Sequence, residues 1–285
     1  MRRKTRFRQR AIPVSILVMM ILLGAMVALA LMAPLLFPTD LGATNLLQRL
    51  KKPTFLDPSS PFLFGTDELG RDLAVRLVYG MRTSLGISFT GMVIALVVGI
   101  ALGVAGGLFG GKVDALCMML VDARLSVPST IIGIICACVM GTSRATLIFV
   151  IGITGWSGFA RLIRGQILQL KNASFIECSR AIGASPLRIL IEHLLPNIAS
   201  PVIVQATLSM SAFILLESAL SFMGLGIQPP NTSLGVLVSG GRTYMINQWW
   251  LAILPGVVIV LLILQISLIG DWLRDKLDPK LQSKA

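Results

Sequence analysis

Residues 173–197 read ASFIECSRAIGASPLRILIEHLLPN, a charged helical stretch set between two long apolar runs. Glu177, Arg180, Arg188 and Glu192 keep it out of a hydrocarbon phase, because a charge at the centre of a membrane helix costs about 2.5–3.5 kcal/mol. Ser185-Pro186 has the form of a helix N-cap followed by proline at the first helical position, where a missing N–H costs nothing. Gly183 lies just before it and supplies a break. The expected structure is a helix, a sharp turn at Gly183-Ala184 and a second helix that enters a membrane. The stretch then reads as a polar connection inside a multi-span membrane protein.

Composition agrees. Hydrophobic residues make up 55% of the 285, charged residues only 13%, and the mean hydropathy is +0.83; this is the profile of a polytopic membrane protein. The net charge of +12 does not point to nucleic acid, because the basic residues gather at the ends of apolar runs, the pattern of membrane topology. Cys117, Cys136, Cys138 and Cys178 fall in or beside expected spans without a CxxC, which suits small packing residues. The single histidine, His193, rules against a His-rich metal site. It also lies at a membrane edge beside Glu192, with no chain of partners for a proton relay.

Residues 1–12 form a basic N-terminus with six Lys/Arg and no acid. Residues 13–37 are uncharged and apolar. Ala28-Leu29-Ala30 resembles a signal cleavage site, but the apolar run continues to Phe37, so an uncleaved first span is expected. Residues 38–83 read as an extracytoplasmic loop ending in an amphipathic helix on the outer surface. Leu73, Leu77, Val78 and Met81 share one face of that helix, and Arg71, Arg76 and Arg82 are left to water or headgroups. Residues 84–270 read as a core of five further spans, and 271–285 as a charged cytoplasmic tail.

Within the core, 84–109 is rich in glycine, and Gly99-x-x-x-Gly103 permits close helix packing. Residues 113–140 are expected to kink at Pro128. Spans follow at 145–163, 198–222 and 251–270, with an outer loop at 223–248. Trp249, Trp250 and Trp272 fit interfacial anchors. Both ends are expected inside: of the 25 Lys/Arg, seventeen fall in the short pieces placed inside and eight in those placed outside. Residues 173–197 are then cytoplasmic.

One apparent nucleotide motif dissolves. GGLFGGKV at 106–113 matches seven positions of a phosphate-binding loop, but Val113 stands where a hydroxyl should hold Mg²⁺. The stretch also ends a membrane-length helix instead of joining a strand to one. Glu217 is the only acid within an expected span, about 9 Å from its outer end at 1.5 Å per residue. With Ser211, Ser218 and Ser221 on the same helix it could line a translocation path, or make an interhelical hydrogen bond to a partner subunit. The sequence contains no catalytic constellation and no intramembrane carboxylate pair.

The turn segment closely resembles the cytoplasmic EAA motif of ABC importer permeases: Glu-Ala-Ala, three residues, Gly, nine residues, then Ile-x-Leu-Pro. Glu177, Gly183, Leu195 and Pro196 stand at the matching spacing, while Cys178 and Ser179 replace the two alanines and His193 replaces the isoleucine. FGTDELGRD (64–72), LSFMGLGIQPP (220–230) and GDWLRDKLDPK (270–280) narrow the resemblance to the second permease subunit of dipeptide, oligopeptide and nickel importers. It implies an all-α fold of six transmembrane helices in the type I importer architecture, in a bacterial inner membrane. It also implies a sister permease, two cytoplasmic ATP-binding subunits that hold ATP and Mg²⁺, an extracytoplasmic solute-binding protein, and no cofactor in this chain. By the same resemblance Glu177, Ser179, Arg180, Ala181, Gly183 and Ala184 belong to a coupling helix that docks on an ATPase. The solute implied is a small peptide, or a related solute such as nickel or a metal chelate.

Two other classes compete. An ion-coupled secondary transporter needs intramembrane coupling groups and often shows repeated halves with broken helices; one acid in six spans speaks against it. A membrane-embedded enzyme needs a nucleophile or metal cluster, and the sequence offers neither.

Overall fold

The computed structural model describes residues 12–38 and 40–277. The basic N-terminal stretch up to residue 11 and the end of the tail from 278, including the last three residues of GDWLRDKLDPK, lie outside the described residues. Among the described residues the fold is helical, and the only extended pairing is an isolated bridge between Thr66 and Asp72.

Helix α1 (Val14–Leu36) is 23 residues of apolar sequence, about 35 Å at 1.5 Å per residue and long enough for a bilayer core of about 30 Å. It rests on the bundle through Ala30 and Ala33 and presents most of its surface outward. Its end is tied down by the Tyr79 hydroxyl, which donates to the Phe37 carbonyl at 2.9 Å.

The loop that follows runs into α2 (Leu73–Phe109), a single helix of 37 residues. Asp72 caps it by accepting the Ala74 N–H at 2.7 Å. The amphipathic surface helix expected here is instead the first three turns of this span. Its apolar face, Leu73, Leu77, Val78 and Met81, packs with Leu234, Leu237, Trp250 and Leu251. Arg76, expected at the water or headgroup side, is only 6% exposed. The reason is Asp67: its carboxylate lies 2.7 Å from Arg71 and 3.2 Å from Arg76 and also accepts the Leu69 and Arg71 N–H groups. A charge already fixed by its own hydrogen bonds makes burial of an opposite charge tolerable.

At Gly110 (φ +64°) α2 gives way to α3 (Gly111–Leu125). The GGLFGGK stretch thus links helix to helix, unlike a phosphate-binding loop. Pro128 separates α3 from α4 (Ser129–Met140), and the pair is bent by 83°, a corner sharper than the kink expected. Alone, the 12 residues of α4 span about 18 Å, too short to cross. Helix α5 (Arg144–Leu170) starts at a Ser143 cap that accepts the Thr146 N–H at 3.1 Å and runs past the expected end at 163.

The small residues of α2 lie along α5. A Cβ on Gly103 would stand 2.7 Å from the Ala160 carbonyl oxygen, one on Gly91 2.6 Å from Ile151, and one on Gly107 2.8 Å from Ile167. Only glycine lets the two backbones approach this closely.

Two short helices, α6 (Ser174–Ala181) and α7 (Pro186–Ile189), make the turn segment. A π-turn at Leu190–Leu194 joins α7 to α8 (Leu195–Phe222). The region expected to be an outer loop at 223–248 contains another helix, α9 (Leu234–Arg242). It is held inside the bundle: Leu234 is fully buried and donates its N–H to the Ser84 hydroxyl at 3.2 Å. Helix α10 (Trp250–Leu277) closes the structure. Trp250, expected as an interfacial anchor, is 3% exposed and belongs to the core; Trp249 is exposed beside Phe55, and Trp272 lies under the Lys276 ammonium at 4.8 Å.

Five helices are long and apolar enough to cross a membrane, and α3 with α4 makes a sixth if the bent pair counts as one span. The bundle has a loop end, where residues 40–72 and α9 lie, and a turn end, where α3 and residues 173–197 lie.

Candidate functional site

The turn is built by local chemistry. After α6 the Gly183 N–H donates to the Arg180 carbonyl at 2.9 Å and the Ala184 N–H to the Ser179 carbonyl at 3.0 Å. Those two bonds form a Schellman motif, which needs a left-handed residue at its centre; Gly183 supplies it with φ +86°. Ser185 then caps α7 by accepting the Arg188 N–H at 3.3 Å, and Pro186 takes the first helical position. Helix, break, cap and second helix stand where the sequence placed them.

The π-turn has a local cause as well. Pro196 has no N–H for the Glu192 carbonyl, and its ring would press on that carbonyl in an ordinary α-turn. The wider turn, with the Leu195 N–H reaching the Leu190 carbonyl, relieves the clash. Asn197 donates from its side-chain amide to the His193 carbonyl at 2.6 Å.

The segment has two faces. Ile176, Ile189, Leu194 and Ile198 enter the same buried cluster as Ile163 and Ile167 of α5, with Ala184 packed against its edge. The opposite face leaves Ile182 86% and Leu187 65% exposed, together with Phe175, Glu177, Arg180 and Ala181. Nearby, Arg164 on α5 grips both oxygens of Asp114 on α3 at 2.5 and 2.6 Å, and Arg161 reaches Asp122 at 2.6 Å. The Lys171 ammonium meets the Gly107 carbonyl at 3.4 Å. Together these contacts fix α2, α3 and α5 around the turn.

The four side chains expected to line a path all face inward within this subunit. Glu217 is fully buried and accepts the Ser221 hydroxyl at 2.7 Å and the Ser218 hydroxyl at 3.4 Å. Ser221 and Ser218 also meet α9, where a Cβ on Gly235 would collide with both. Ser211 donates to the Ile263 carbonyl of α10 at 3.3 Å and accepts from Ser267 at 3.0 Å. They bring α8, α9 and α10 together. At the loop end a cleft of about 350 Å³ is lined by Thr83, Thr142, Arg144, Gln228 and Asn231 among others.

Residues 95–283 match the family model described as binding-protein-dependent transport system inner membrane component, a span that takes in the turn segment, the end of α2 and three of the helices long enough to cross. The chain belongs to this family of ABC importer permeases. The di/tripeptide transport system permease protein DppC of Pseudomonas aeruginosa is 39% identical over 257 residues, covering 90% of this chain and 85% of that protein. The oligopeptide transport system permease protein OppC of Bacillus subtilis is 35% identical over 277 residues, covering 97% and 88%. A solved structure, inward-facing MetNI methionine ABC transporter, superimposes with a TM-score of 0.58 at 21% identity, covering 71% of this chain and 96% of that one. That likeness supports the all-α, multi-span permease fold.

Reading the permease by sequence missed three features: Asp67 beneath Arg76, the Asp114–Arg164 pair and helix α9. Only Asp67–Arg71 carries a local signal, an acid four residues before a base. Asp114 and Arg164 are 50 residues apart, and nothing in either neighbourhood marks the other.

Proposed function

We propose that this permease is one of two homologous membrane subunits of an ATP-driven importer of small peptides in a bacterial inner membrane. In this reading both termini and the turn segment lie on the cytoplasmic side. What carries it is the two-faced turn. One face is continuous with the core of the bundle, and the other offers exposed Phe175, Ile182 and Leu187 beside Glu177 and Arg180. An exposed apolar patch rimmed by charge suits a protein contact, and a rigid turn fixed on α5 and α8 would pass a push into both.

Two cytoplasmic ATP-binding subunits, carrying ATP and Mg²⁺, would supply the push. A sister permease would complete the membrane unit, and an extracytoplasmic binding protein would deliver solute at the loop end. Peptides are the preferred solute because the similar proteins named above are di/tripeptide and oligopeptide permeases. The buried positions of Glu217, Ser211, Ser218 and Ser221 mean that a lining role for them requires α8 to separate from α9 and α10 during the cycle.

The test is Glu177→Lys in the complex reconstituted into proteoliposomes with its partner subunits. Peptide uptake should fall on the order of tenfold, the effect of about 1.4 kcal/mol at a charged contact, with the chain still inserted. Unchanged uptake would overturn the docking role. Uptake that persists without the ATP-binding subunits and stops when ion gradients are collapsed would favour an ion-coupled transporter.

A further inference from the structure

Two of the departures from the EAA pattern touch each other. Ser179 stands where the pattern has alanine and His193 where it has isoleucine, and the Ser179 hydroxyl lies 3.3 Å from His193 Nε2. The same hydroxyl donates to the Phe175 carbonyl at 2.8 Å. With its one hydrogen used there, Ser179 accepts and His193 donates from Nε2. The Phe175 ring meets the imidazole edge-on, centroids 6.3 Å apart.

We propose that this contact is a clasp that positions α6 against the start of α8, so that movement of α6 is passed to the membrane helix. This inference rests on the docking role proposed above. The covalent link between the two helices runs through Gly183, and no atom lies within 4 Å of where its Cβ would stand. That turn is closed by the two backbone hydrogen bonds of the Schellman motif alone, and the clasp adds a side-chain bond from α6 across it. The clasp reaches His193 inside the π-turn, whose carbonyl is held from the other side by Asn197 at 2.6 Å. Neighbouring charge does not compete: Glu192 is turned to Arg188 at 3.0 Å. Where alanine and isoleucine would make only an apolar contact, serine and histidine fix a direction.

The test compares Ser179→Ala, His193→Ile and the double variant in proteoliposomes containing the partner subunits, read as peptide taken up per ATP hydrolysed. Each single variant should lower that ratio about three- to tenfold, the range of one lost hydrogen bond, with the ATP-binding subunits still bound. The double variant, which restores the apolar pair, should recover most of the ratio. Single variants at the normal ratio, losses that simply add in the double variant, or loss of the ATP-binding subunits would each overturn the clasp. If His193→Ile fails to insert, Ser179→Ala carries the test, since it removes only a hydroxyl. Glu177→Lys separates the two ideas. If it uncouples and Ser179→Ala does not, only the clasp is wrong; if neither does, the docking role has failed.

Discussion

Gly183 holds φ at +86° with open space where a side chain would grow, so its requirement is angular and not steric. An L-residue in that region costs about 1–2 kcal/mol, enough to shift the turn's population roughly 5- to 30-fold. Gly183→Ala is therefore expected to depress coupled peptide uptake by about that factor, and Gly183→Asn by less, because asparagine tolerates the left-handed region. Uptake by the two variants in proteoliposomes checks it; a larger loss for Asn than for Ala would point to a contact surface instead. At the other end, Arg76 shows how far a residue's role depends on a partner. The sequence left it to water or headgroups, but it is buried against Asp67, whose position over α2 no local pattern announces.

Between helices, the glycine stripe of α2 sets the approach to α5. Gly103→Val puts atoms where the Ala160 carbonyl stands, 2.7 Å from the Cβ position. Overpacking of this kind costs about 1–3 kcal/mol, so the melting temperature of the solubilised chain should fall. Gly256 on α10 has no atom within 4 Å of its Cβ position; Gly256→Ala should leave that temperature unchanged or raise it, since alanine favours a helix interior by roughly 0.5–1 kcal/mol. The α3 helix is held differently, by Asp114 to Arg164, side chains 19% and 30% exposed. Screening limits such a pair to about 1 kcal/mol or less. Cys117, one turn along α3, is buried against Gly106. Arg164→Ala should thus raise the rate of Cys117 alkylation severalfold, measured with a thiol reagent; an unchanged rate would show that α3 is held by apolar packing alone.

Across the whole molecule, orientation is the property with the sharpest test. Cys178 lies exposed in the turn segment. With the also exposed Cys138 changed to serine, a membrane-impermeant maleimide should label it in inside-out vesicles and not in right-side-out ones, with the signal lost when Cys178→Ser is added. Labelling from the outside would reverse the proposed topology. The five long apolar helices and the form of the turn were legible in the sequence because both follow from local terms. Hydropathy over about 20 residues decides a span, and a serine cap, a proline at the first position and a left-handed glycine decide a turn. The tertiary structure alone decided where α2 begins, that α9 is a buried helix, that Glu217 faces inward, and that Ser179 meets His193. Each of these turns on a polar group finding its partner. Ser84 and the Leu234 N–H are separated by 150 positions, and burying a polar group is tolerated only once such a partner is in place.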